Sequence, residues 1–471
     1  MFPKTFIKDS MSLIGQTWDQ SIVPSLMDYI KIPNKSPMFD KDWQKNGYMQ
    51  QAVTLIRNWC QARPITGLHI EIVHLENRTP LIYMEVPGQI DETVLLYGHL
   101  DKQPEMTGWS DGLDPWQPVL RDGKLYGRGG ADDGYSAFAS LNAIEVLQAQ
   151  GIAHPRCVII IEACEESGSY DLPYYITHLQ TRIGTPSLVI CLDSGCGNYE
   201  QLWMTTSLRG LISGQLHVQV LDQGVHSGQG TGITASSFRI LRDLLSRIED
   251  AKTGEILLPE LHVNIPTQRI EQIKVAAQIL GKSIYEDLPF SASVKPISGE
   301  LDELLTGKTW KPGLEITGID GIPALQNAGN VLRPYTSATL SMRIPAHCDP
   351  EKAAQAMKQM LEKDPPYQAK VSFKIEKSSA GWDSPALAPW LEQACKEASQ
   401  GYFNKDPGYW GEGGSIPFMG MLGEKFPQAQ FMITGVLGPH SNAHGPNEFL
   451  HIEMGKRLTG CVAYVLAKCG I

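Results

Sequence analysis

DDGYSAFASLNAIEVLQAQG, residues 132–151, decides the fold class of this chain, together with the apolar runs on either side of it. It is rich in alanine, its apolar residues recur at helical spacing, and Gly151 is placed to end the helix as a C-cap. The flanking runs TVLLYGH (93–99) and RCVIIIEAC (156–164) are short and apolar, which predicts buried strands. A strand, a helix and a second strand in this order indicate a parallel or mixed sheet with helices on its faces.

The pattern changes near residue 207 and changes back near residue 380. Between these points, alternating strands and amphipathic helices predict an α+β layer of the ferredoxin-like kind with one open face. Its strands are predicted at 210–220, 337–344 and 368–376, and its helices at 234–248 and 350–363. Outside it, the α/β pattern continues with strands at 187–193 and 429–435 and helices at 385–399 and 452–468. We therefore expect a mixed-sheet α/β domain with helices on both faces, residues 1–206 and 380–471, interrupted by an inserted domain, residues 207–379.

Length and charge exclude several classes of function. The chain has 471 residues, 42% of them hydrophobic, which allows two or three domains with large cores. Its formal net charge of −11 argues against non-specific nucleic-acid binding and gives no sign of binding to an anionic membrane surface. No run approaches the roughly 20 apolar residues of a membrane-spanning helix, and residues 1–20 do not resemble a signal peptide. Nine cysteines without a C-x-x-C pair indicate reduced thiols, so we expect a cytoplasmic protein.

Acidic and histidine side chains follow the predicted strands. In open α/β sheets, ligands bind outside the carboxyl ends of the strands, so these side chains are expected to converge. Taken alone, a strand-end acid is more often a turn former or helix cap, and a lone histidine is more often a structural hydrogen bonder. Five such stretches together favour one shared site. The stretches are YGHLD with His99 and Asp101, GGADDG with Asp132 and Asp133, EACEESGS with Glu165 and Glu166, CLDSG with Asp193, and GPHSNAHGPNE with His440 and His444.

Carboxylates converging on one crevice would repel one another strongly without a cation. Carboxylate and imidazole ligands without thiolates suit Zn, Mn or Co. We expect two divalent ions that share one bridging carboxylate. Three carboxylates and two neutral imidazoles leave this pair of ions with one positive charge in excess, which a bridging hydroxide would cancel. A further carboxylate that binds neither ion would serve as the general base.

Two other motifs compete with this interpretation and fit less well. GWSDG (108–112) matches the G-x-S-x-G elbow of serine hydrolases, but that elbow needs a helix after it, and the following LDPWQP contains two prolines. The three glycines of GRGGADDG (127–134) do not have the G-x-G-x-x-G spacing of a dinucleotide loop, and two aspartates would face the pyrophosphate. The glycines instead allow the backbone to turn tightly beside these two acidic side chains.

In combination, the motifs GHLD, GRGGADD, EESGS, LDSG and NAHGPNE resemble those of the dinuclear zinc metallopeptidases that include carnosine dipeptidase, glutamate carboxypeptidase and succinyl-diaminopimelate desuccinylase. The resemblance covers nearly the whole chain. The long insertion is more similar to the dipeptidase branch than to the shorter aminoacylase one. The resemblance implies a homodimer, an inserted domain that serves as a dimerisation and lid domain, and two divalent ions, zinc foremost, with Mn or Co as alternatives.

The resemblance also implies a role for each residue that matches a family motif. Asp132 would bridge both ions. His99 and Asp193 would complete one metal site, and Glu166 and His444 the other. Glu165 would be the general base. Asp101 would orient His99 without binding either ion itself. The implied substrate-binding residues are His226 in GVHSG, which would reach the neighbouring subunit's site, Asn330 in NAGNVLRP, Arg343 in LSMRIP and Ser415 in GEGGSIPF.

The implied reaction is hydrolysis of an amide bond near a free carboxylate in a small peptide. A metal-bridging hydroxide would attack the carbonyl, Glu165 would carry the proton, and Arg343 would pair with the terminal carboxylate. An N-acyl-amino-acid deacylase with the same site stays open, as does a non-catalytic homologue that binds metal or a small ligand. The chain departs from the family pattern D-D-K-G at Gly134 and Tyr135, where the missing lysine is expected to alter the hydrogen bonding behind the site.

Overall fold

The structure is a computed structural model that describes residues 5–414 and 416–470. Its strands are β1 His69–Val73, β2 Leu81–Val86, β3 Ile90–His99, β4 Val119–Arg121, β5 Lys124–Tyr126, β6 Pro155–Glu162, β7 Leu188–Cys191, β8 Trp203–Leu208, β9 Gly210–Gln219, β10 Val225–His226, β11 Gly313–Asp320, β12 Val331–Leu332, β13 Tyr335–Ile344, β14 Lys370–Ser379, β15 Trp382–Asp383, β16 Gly408–Glu412, β17 Gln430–Ile433 and β18 Phe449–His451. Its α-helices are α1 Phe6–Thr17, α2 Val23–Ile30, α3 Trp43–Asn46, α4 Tyr48–Gln61, α5 Tyr135–Ala149, α6 Leu172–His178, α7 Gln180–Ile183, α8 Ser227–Gly230, α9 Ser237–Leu245, α10 Thr267–Leu280, α11 Ser283–Glu286, α12 Leu301–Trp310, α13 Pro350–Glu362, α14 Pro389–Phe403, α15 Pro417–Lys425 and α16 Ile452–Lys468.

A six-stranded mixed sheet forms the centre of the molecule, in the order β1-β2-β6-β3-β7-β17. The four strands from β6 to β17 run parallel, whereas β1 and β2 are antiparallel to their neighbours. Leu96 at the middle of β3 is paired with Ile159 of β6 and Ile190 of β7. The mixed α/β sheet predicted from the sequence is therefore confirmed.

Both faces of this sheet are buried, which explains why its strands are apolar at successive positions. Along β3, Val94 and Leu96 belong to a core that includes residues of α1, α4, α5, α14 and α16. The intervening Leu95 and Tyr97 belong to a second core, on the other face, formed with α6 and α15. Because successive side chains of a strand point to opposite faces, one apolar run supplies both cores.

A second sheet, in the order β11-β13-β9-β14, is entirely antiparallel. Helices α9 and α13 cover one of its faces and share a separate core with it, which includes Leu216, Leu340 and Leu361. Alternate residues of β9 are buried, and those between them are exposed or half-buried. This agrees with the predicted α+β layer that has one open face.

Helices α10 and α12 were not identified from the sequence, although they lie within the predicted insertion. Ile273 and Ala276 of α10 and Leu305 of α12 belong to the first core of the main sheet, not to the core of the second sheet. Helices α10 and α12 therefore pack against the first core and not against the core of the second sheet. The division into 1–206 with 380–471 and 207–379 stays a prediction.

Local details follow from backbone geometry. The helix expected from residue 132 begins at Tyr135, because Asp132 and Asp133 have non-helical backbone angles. Gly151 has a φ of +65°, as expected of a glycine at a helix end.

All nine cysteines are buried and none forms a disulfide. Within 5–414 and 416–470, none of the helices combines the length and apolar character needed to cross a bilayer.

Candidate metal centre

Three neighbouring parallel strands bring polar side chains to one edge of the main sheet. His99 is the last residue of β3, Glu166 follows β6 and Asp193 follows β7. Asp132 lies on the turn before α5, and His444 lies on the loop between β17 and β18. Because the carboxyl ends of parallel strands meet at the same edge, residues far apart in sequence lie together here.

The first of two ligand groups consists of His99, Asp132 and Asp193, all of them buried. The Nε2 atom of His99 lies 3.3 Å from Oδ1 of Asp132 and 3.7 Å from Oδ1 of Asp193. One atom from each residue lies within 4.8 Å of the others, so all three can face a single ion.

The second group consists of Asp132, Glu166 and His444. The Nε2 atom of His444 lies 2.9 Å from Oδ2 of Asp132 and 3.3 Å from Oε2 of Glu166. Asp132 thus presents one carboxylate oxygen to each histidine. The His444 side chain is 54% exposed, whereas that of Glu166 is only 3% exposed, so the second group lies on the solvent side.

Burial and mutual charge perturb these groups strongly. Burial raises the pKa of Glu166, and the charges of Asp132 and Glu165 raise it further. Burial also raises the pKa of Asp193, although the charge of His99 opposes it. Burial acts to raise the pKa of Asp132, but hydrogen bonds with His444 and His99 lower it well below its usual range. Such packed carboxylates are stabilised by cations.

The donor set fits divalent metal ions. Oε1 of Glu166 is buried and has no hydrogen-bond partner, although Oε2 accepts a 2.5 Å hydrogen bond from Gln103. An unsatisfied buried carboxylate oxygen is costly unless an ion or a ligand faces it. Oxygen and imidazole nitrogen donors without thiolates suit Zn, Mn or Co.

Asp101 is fully buried and anchors the loop after β6. Its Oδ1 accepts a hydrogen bond from the backbone N–H of Glu165 (3.1 Å), and its Oδ2 accepts one from that of Glu166 (3.0 Å). The same Oδ1 lies 3.5 Å from Nδ1 of His99. The carboxylate therefore fixes the position of two consecutive acids, whereas Nδ1 of His99 is hydrogen-bonded to the backbone carbonyl of Asp101 (3.1 Å).

The Glu165 carboxyl belongs to neither ligand group among the described residues. Burial raises its pKa, and the neighbouring charge of Asp193 raises it further, while His99 opposes the shift. A carboxyl with a raised pKa accepts and releases a proton nearer to neutral pH than an ordinary glutamate does.

Another buried carboxyl, Glu162 at the end of β6, lies in the same part of the sheet. It accepts hydrogen bonds from the hydroxyls of Tyr97 (2.5 Å) and Ser169 (2.8 Å). Burial and the charge of Asp101 raise its pKa to about 7. Glu162 was not among the residues predicted from the sequence.

A buried ion pair joins the turn that carries Asp132 to the loop that carries His444. The Arg128 guanidinium donates to the Glu448 carboxylate (2.6 Å) and to the carbonyl of Gly445 (2.7 Å). Glu448 also accepts from the backbone N–H of Gly129 (2.9 Å). Both partners lie inside quoted motifs, GRGGADD and NAHGPNE, but nothing in the sequence alone pairs them.

The structure also accounts for the departure at Gly134. A Cβ atom at this position would overlap the ring of Tyr29. The ammonium of Lys102 lies 3.9 Å from the centre of that ring and donates to the carbonyls of Tyr29 and Ile32, each at 2.8 Å. The buried side chain of Lys102, which follows the end of β3, therefore packs beside this turn. The hydroxyl of Tyr135 donates to the carbonyl of Leu192 (2.5 Å).

Of the predicted substrate-binding residues, His226, Asn330 and Arg343 are described by the structure, and none of them belongs to the two ligand groups. His226 and Asn330 are exposed and adjacent, since the carbonyl of Asn330 accepts from the backbone N–H of Ser227 (2.8 Å). Arg343 on β13 is half-buried, and burial lowers its pKa. In the part of the chain that the structure describes, no carboxylate lies within ion-pair distance of Arg343. Ser415 lies outside the described residues.

Comparison with known proteins gives one family and a consistent set of relatives. Residues 95–468 match the family described as Peptidase family M20/M25/M40. The chain is 25% identical to the cysteinylglycine-S-conjugate dipeptidase of Corynebacterium striatum, over 81% of this chain and 83% of that protein. It is 27% identical to the human Beta-Ala-His dipeptidase, over 77% of this chain and 72% of that protein.

Solved structures show the same fold. Human carnosine dipeptidase 1 superposes with a TM-score of 0.77 at 21% identity, covering 99% of both chains. The dipeptidase Dug1p of Saccharomyces cerevisiae superposes with a TM-score of 0.76 at 22% identity, covering 98% of both chains.

Proposed function

The chain belongs to peptidase family M20/M25/M40, and on this premise we propose that it is a metal-dependent dipeptidase or carboxypeptidase that hydrolyses an amide bond near a free carboxylate. The observation that carries the proposal is the pair of ligand groups that share Asp132. Relatives whose names give dipeptidase activity on Cys-Gly conjugates and on Beta-Ala-His support the same class.

We assign two divalent ions, zinc foremost, to the two groups. His99 and Asp193 would hold one ion, Glu166 and His444 the other, and Asp132 both. When bound, such ions lower the pKa of a coordinated water and polarise a carbonyl. The unpartnered Oε1 of Glu166 supports this assignment, because a cation would satisfy it.

Glu165 is assigned as the general base. It would take a proton from the attacking water and return it to the leaving amine. Its position is fixed by Asp101, which accepts a hydrogen bond from its backbone N–H. Its raised pKa suits a group that must both accept and release a proton.

Arg343 is assigned to the substrate's terminal carboxylate. Its guanidinium is partly desolvated and has no carboxylate partner among residues 5–414 and 416–470. The carboxylate of a substrate would therefore be its first ion-pair partner. A paired, charge-assisted hydrogen bond of this kind is stronger than a neutral one. Ser415 stays a prediction for the same part of the substrate.

We further propose a homodimer in which His226 and Asn330 act on the neighbouring subunit's site. Both are exposed on the predicted insertion, and neither belongs to the ligand groups of its own chain. Strand β11 is an edge strand, and an unpaired strand edge favours association with another chain. Exposed apolar side chains on and after it support this surface: Ile316, Ile319, Ile322, Leu325 and Val331.

A subunit-mixing experiment tests the dimer. Homodimers of Glu165→Gln and of His226→Ala should each be nearly inactive. In a mixed dimer, the His226→Ala subunit keeps its Glu165 and receives His226 from its partner, so one site is complete. We expect up to half of the wild-type activity per mixed dimer. No recovery, with mixed dimers confirmed by mass, would place His226 outside the neighbouring site.

A hydrolysis screen after metal removal and reconstitution tests the reaction itself. Chelation should abolish activity and lower thermal stability, since the acidic cluster then repels itself, and Zn, Mn or Co should restore both. The substrates are dipeptides, C-terminally extended peptides and N-acyl amino acids. Hydrolysis of N-acyl amino acids alone would favour the deacylase alternative, and metal binding without any hydrolysis would favour a non-catalytic homologue. Full activity in a demonstrably metal-free sample would refute the metal-dependent reaction.

A further inference from the structure

Arg209 lies between the last residue of β8 and the first residue of β9 and is half-buried. Its Nε donates to the carbonyl of Gly413 (3.1 Å), and its Nη1 makes longer hydrogen bonds to the carbonyls of Gly307 (3.5 Å) and Lys311 (3.4 Å). Its Nη2 has no acceptor in the part of the chain that the structure describes. Backbone carbonyls therefore hold this guanidinium in place and leave one of its nitrogens free for a ligand.

The Arg209 guanidinium lies on the same face of the second sheet as Arg343. Gly313 of β11 is paired with Arg343 of β13, and side chains at paired positions point to the same face. Nη1 of Arg209 lies 3.9 Å from the place that a Cβ atom on Gly313 would occupy. Paired Cβ positions lie about 5 Å apart, so this nitrogen is within about 9 Å of the Arg343 Cβ. An arginine side chain is long enough for both guanidiniums to reach one small ligand.

The positive charges of these two arginines are uncompensated. Within the segments 5–414 and 416–470, neither has a carboxylate at ion-pair distance. Burial and the charge of Arg343 lower the pKa of Arg209 to about 10. Two half-buried cations that repel each other are stabilised by an anion that both can contact. A carboxylate is such an anion, because its two oxygens match the fork of N–H donors on a guanidinium.

A short series of contacts connects Arg209 with the candidate metal centre. Gly413, whose carbonyl accepts from Arg209, follows Glu412 at the end of β16. The Glu412 carboxyl packs against Gly195, where a Cβ atom would overlap its Oε1. Gly195 lies two residues after Asp193, a candidate ligand. The arginine and this ligand therefore belong to segments that lie in contact.

We propose that Arg209 binds the terminal carboxylate of the substrate together with Arg343. This inference rests on the proposed function and adds a second residue to its carboxylate site. Arg343 would approach the carboxylate from β13 and Arg209 from the segment before β9. Because main-chain carbonyls hold Arg209, the junction between the two sheets would set the position of the carboxylate. An amidated substrate would leave both guanidiniums without a counter-charge.

The kinetic test compares alanyl-leucine with alanyl-leucinamide, which has the same scissile amide but no carboxylate. In the metal-reconstituted enzyme, Arg209→Gln should lower kcat/KM for alanyl-leucine about 10- to 100-fold, the contribution of a hydrogen bond between charged groups. It should lower kcat/KM for alanyl-leucinamide far less. Arg209→Lys keeps the charge but loses the fork of donors, so its loss should be intermediate. With Arg343→Gln added to Arg209→Gln, the loss should be smaller than the product of the two single losses, because both arginines act on one carboxylate.

A binding measurement separates this inference from the peptidase reaction. Calorimetry with leucine and leucinamide compares a free carboxylate with an amide and needs no hydrolysis of a peptide. The metal-reconstituted wild type should bind leucine more tightly than leucinamide. Arg209→Gln should weaken the binding of leucine about 10- to 100-fold and leave that of leucinamide unchanged.

Arg156→Gln provides the matched control. The Arg156 guanidinium also donates to backbone carbonyls, those of Ile183 (3.1 Å) and Arg182 (2.5 Å). It lies near the start of β6, at the opposite end of this strand from the candidate ligands, so Arg156→Gln should keep the wild-type kinetics and binding. Circular dichroism and metal content establish that each variant is folded.

Equal losses on both dipeptides in folded Arg209→Gln would make this arginine purely structural and overturn the inference. Leucine binding that is unchanged in that variant, or no tighter than leucinamide binding in the wild type, would do the same. Hydrolysis of neither dipeptide, with the expected binding of leucine, would refute only the peptidase reaction.

Discussion

Replacing Glu448 by alanine should loosen the candidate metal centre on the side of His444. The side chains of Glu448 and Arg128 are 0% and 1% exposed, and their 2.6 Å ion pair joins two segments that lie 320 positions apart in the chain. The loop that carries His444 has an unusual backbone, since four of its residues have positive φ values: His440, Asn442, His444 and Asn447. The contacts of Arg128 and Glu448 hold that conformation in place.

The expected losses of stability and metal affinity follow from the polar groups that Glu448→Ala leaves unpaired. The Arg128 guanidinium would keep its bonds to the carbonyls of Gly445 and Pro104 but would have no counter-charge. The backbone N–H of Gly129 would lose its acceptor. Breaking one side of a buried ion pair costs about 3–5 kcal/mol of folding free energy. Removing a group that positions a metal ligand lowers metal affinity by about 10- to 100-fold.

Two measurements on Glu448→Ala test both consequences. Urea unfolding followed by tryptophan fluorescence gives the loss of stability, and competition with a chromogenic chelator gives the affinity for each ion. The ion held by Glu166 and His444 should lose more affinity than the other ion, because the contacts of Glu448 reach the His444 loop and the turn of Asp132 but not His99 or Asp193. Glu448→Gln keeps an acceptor for the backbone N–H of Gly129. It should therefore lose less stability and less metal affinity than Glu448→Ala.

The Arg63–Glu145 pair provides the control. It is also a close ion pair, at 2.5 Å, with side chains 17% and 11% exposed, but it lies near the far end of α5. Glu145→Ala should lower stability without changing the affinity for either ion. If folded Glu448→Ala bound both ions as tightly as the wild type, the ion pair would not position His444 and the reasoning would be wrong.

Three further predictions follow from the site. Glu165→Gln should lower kcat by about 10²–10⁴-fold, the usual contribution of general acid–base catalysis, with two ions still bound by metal analysis; loss of metal would instead make Glu165 a ligand. Arg343→Ala should lower kcat/KM about 10- to 100-fold for substrates with a free C-terminal carboxylate and far less for amidated ones, and equal losses would remove Arg343 from the site. The pKa of Glu162 is raised to about 7 from 4.5, so the folded state binds its proton more tightly. The contribution of this proton to the free energy of unfolding is complete below pH 4.5. It is lost as the pH rises through 7, by about 3 kcal/mol at most. In Glu162→Gln the decline between pH 5 and pH 8 should be smaller in urea unfolding, and an unchanged slope would contradict the shift.

The parts of the molecule that the sequence predicted are those determined by local pattern. Apolar runs such as 93–99 predict buried strands because both faces of the main sheet are covered. Once parallel strands are assumed, His99 and Asp193 must meet at the same edge. The expectation of cations near the clustered carboxylates follows from counting charges, which needs no coordinates.

The parts that the sequence did not predict depend on long-range contacts. Arg128 and Glu448 are ordinary charged residues in sequence, and only the fold brings them together. The requirement for glycine at position 134 comes from the ring of Tyr29, a residue in a different helix. Helix α10 gives no clear sign that it packs against the main core, because few of its residues are buried: Arg269, Ile273, Ala276 and Ala277. These contacts determine the precise positions of the candidate ligands, whereas local patterns determine only which candidate ligands are present.

The position of the ligands along the chain has a consequence for synthesis on the ribosome. The group of His99, Asp132 and Asp193 is complete once the chain has emerged to residue 193. The second group needs His444, which emerges roughly 250 residues later, together with the sheet's last strand, β17. Because domains fold as their segments become available, we expect a nascent chain to acquire its ions one at a time. The first ion would neutralise the early carboxylates, and the second could be captured only when the C-terminal segment docks.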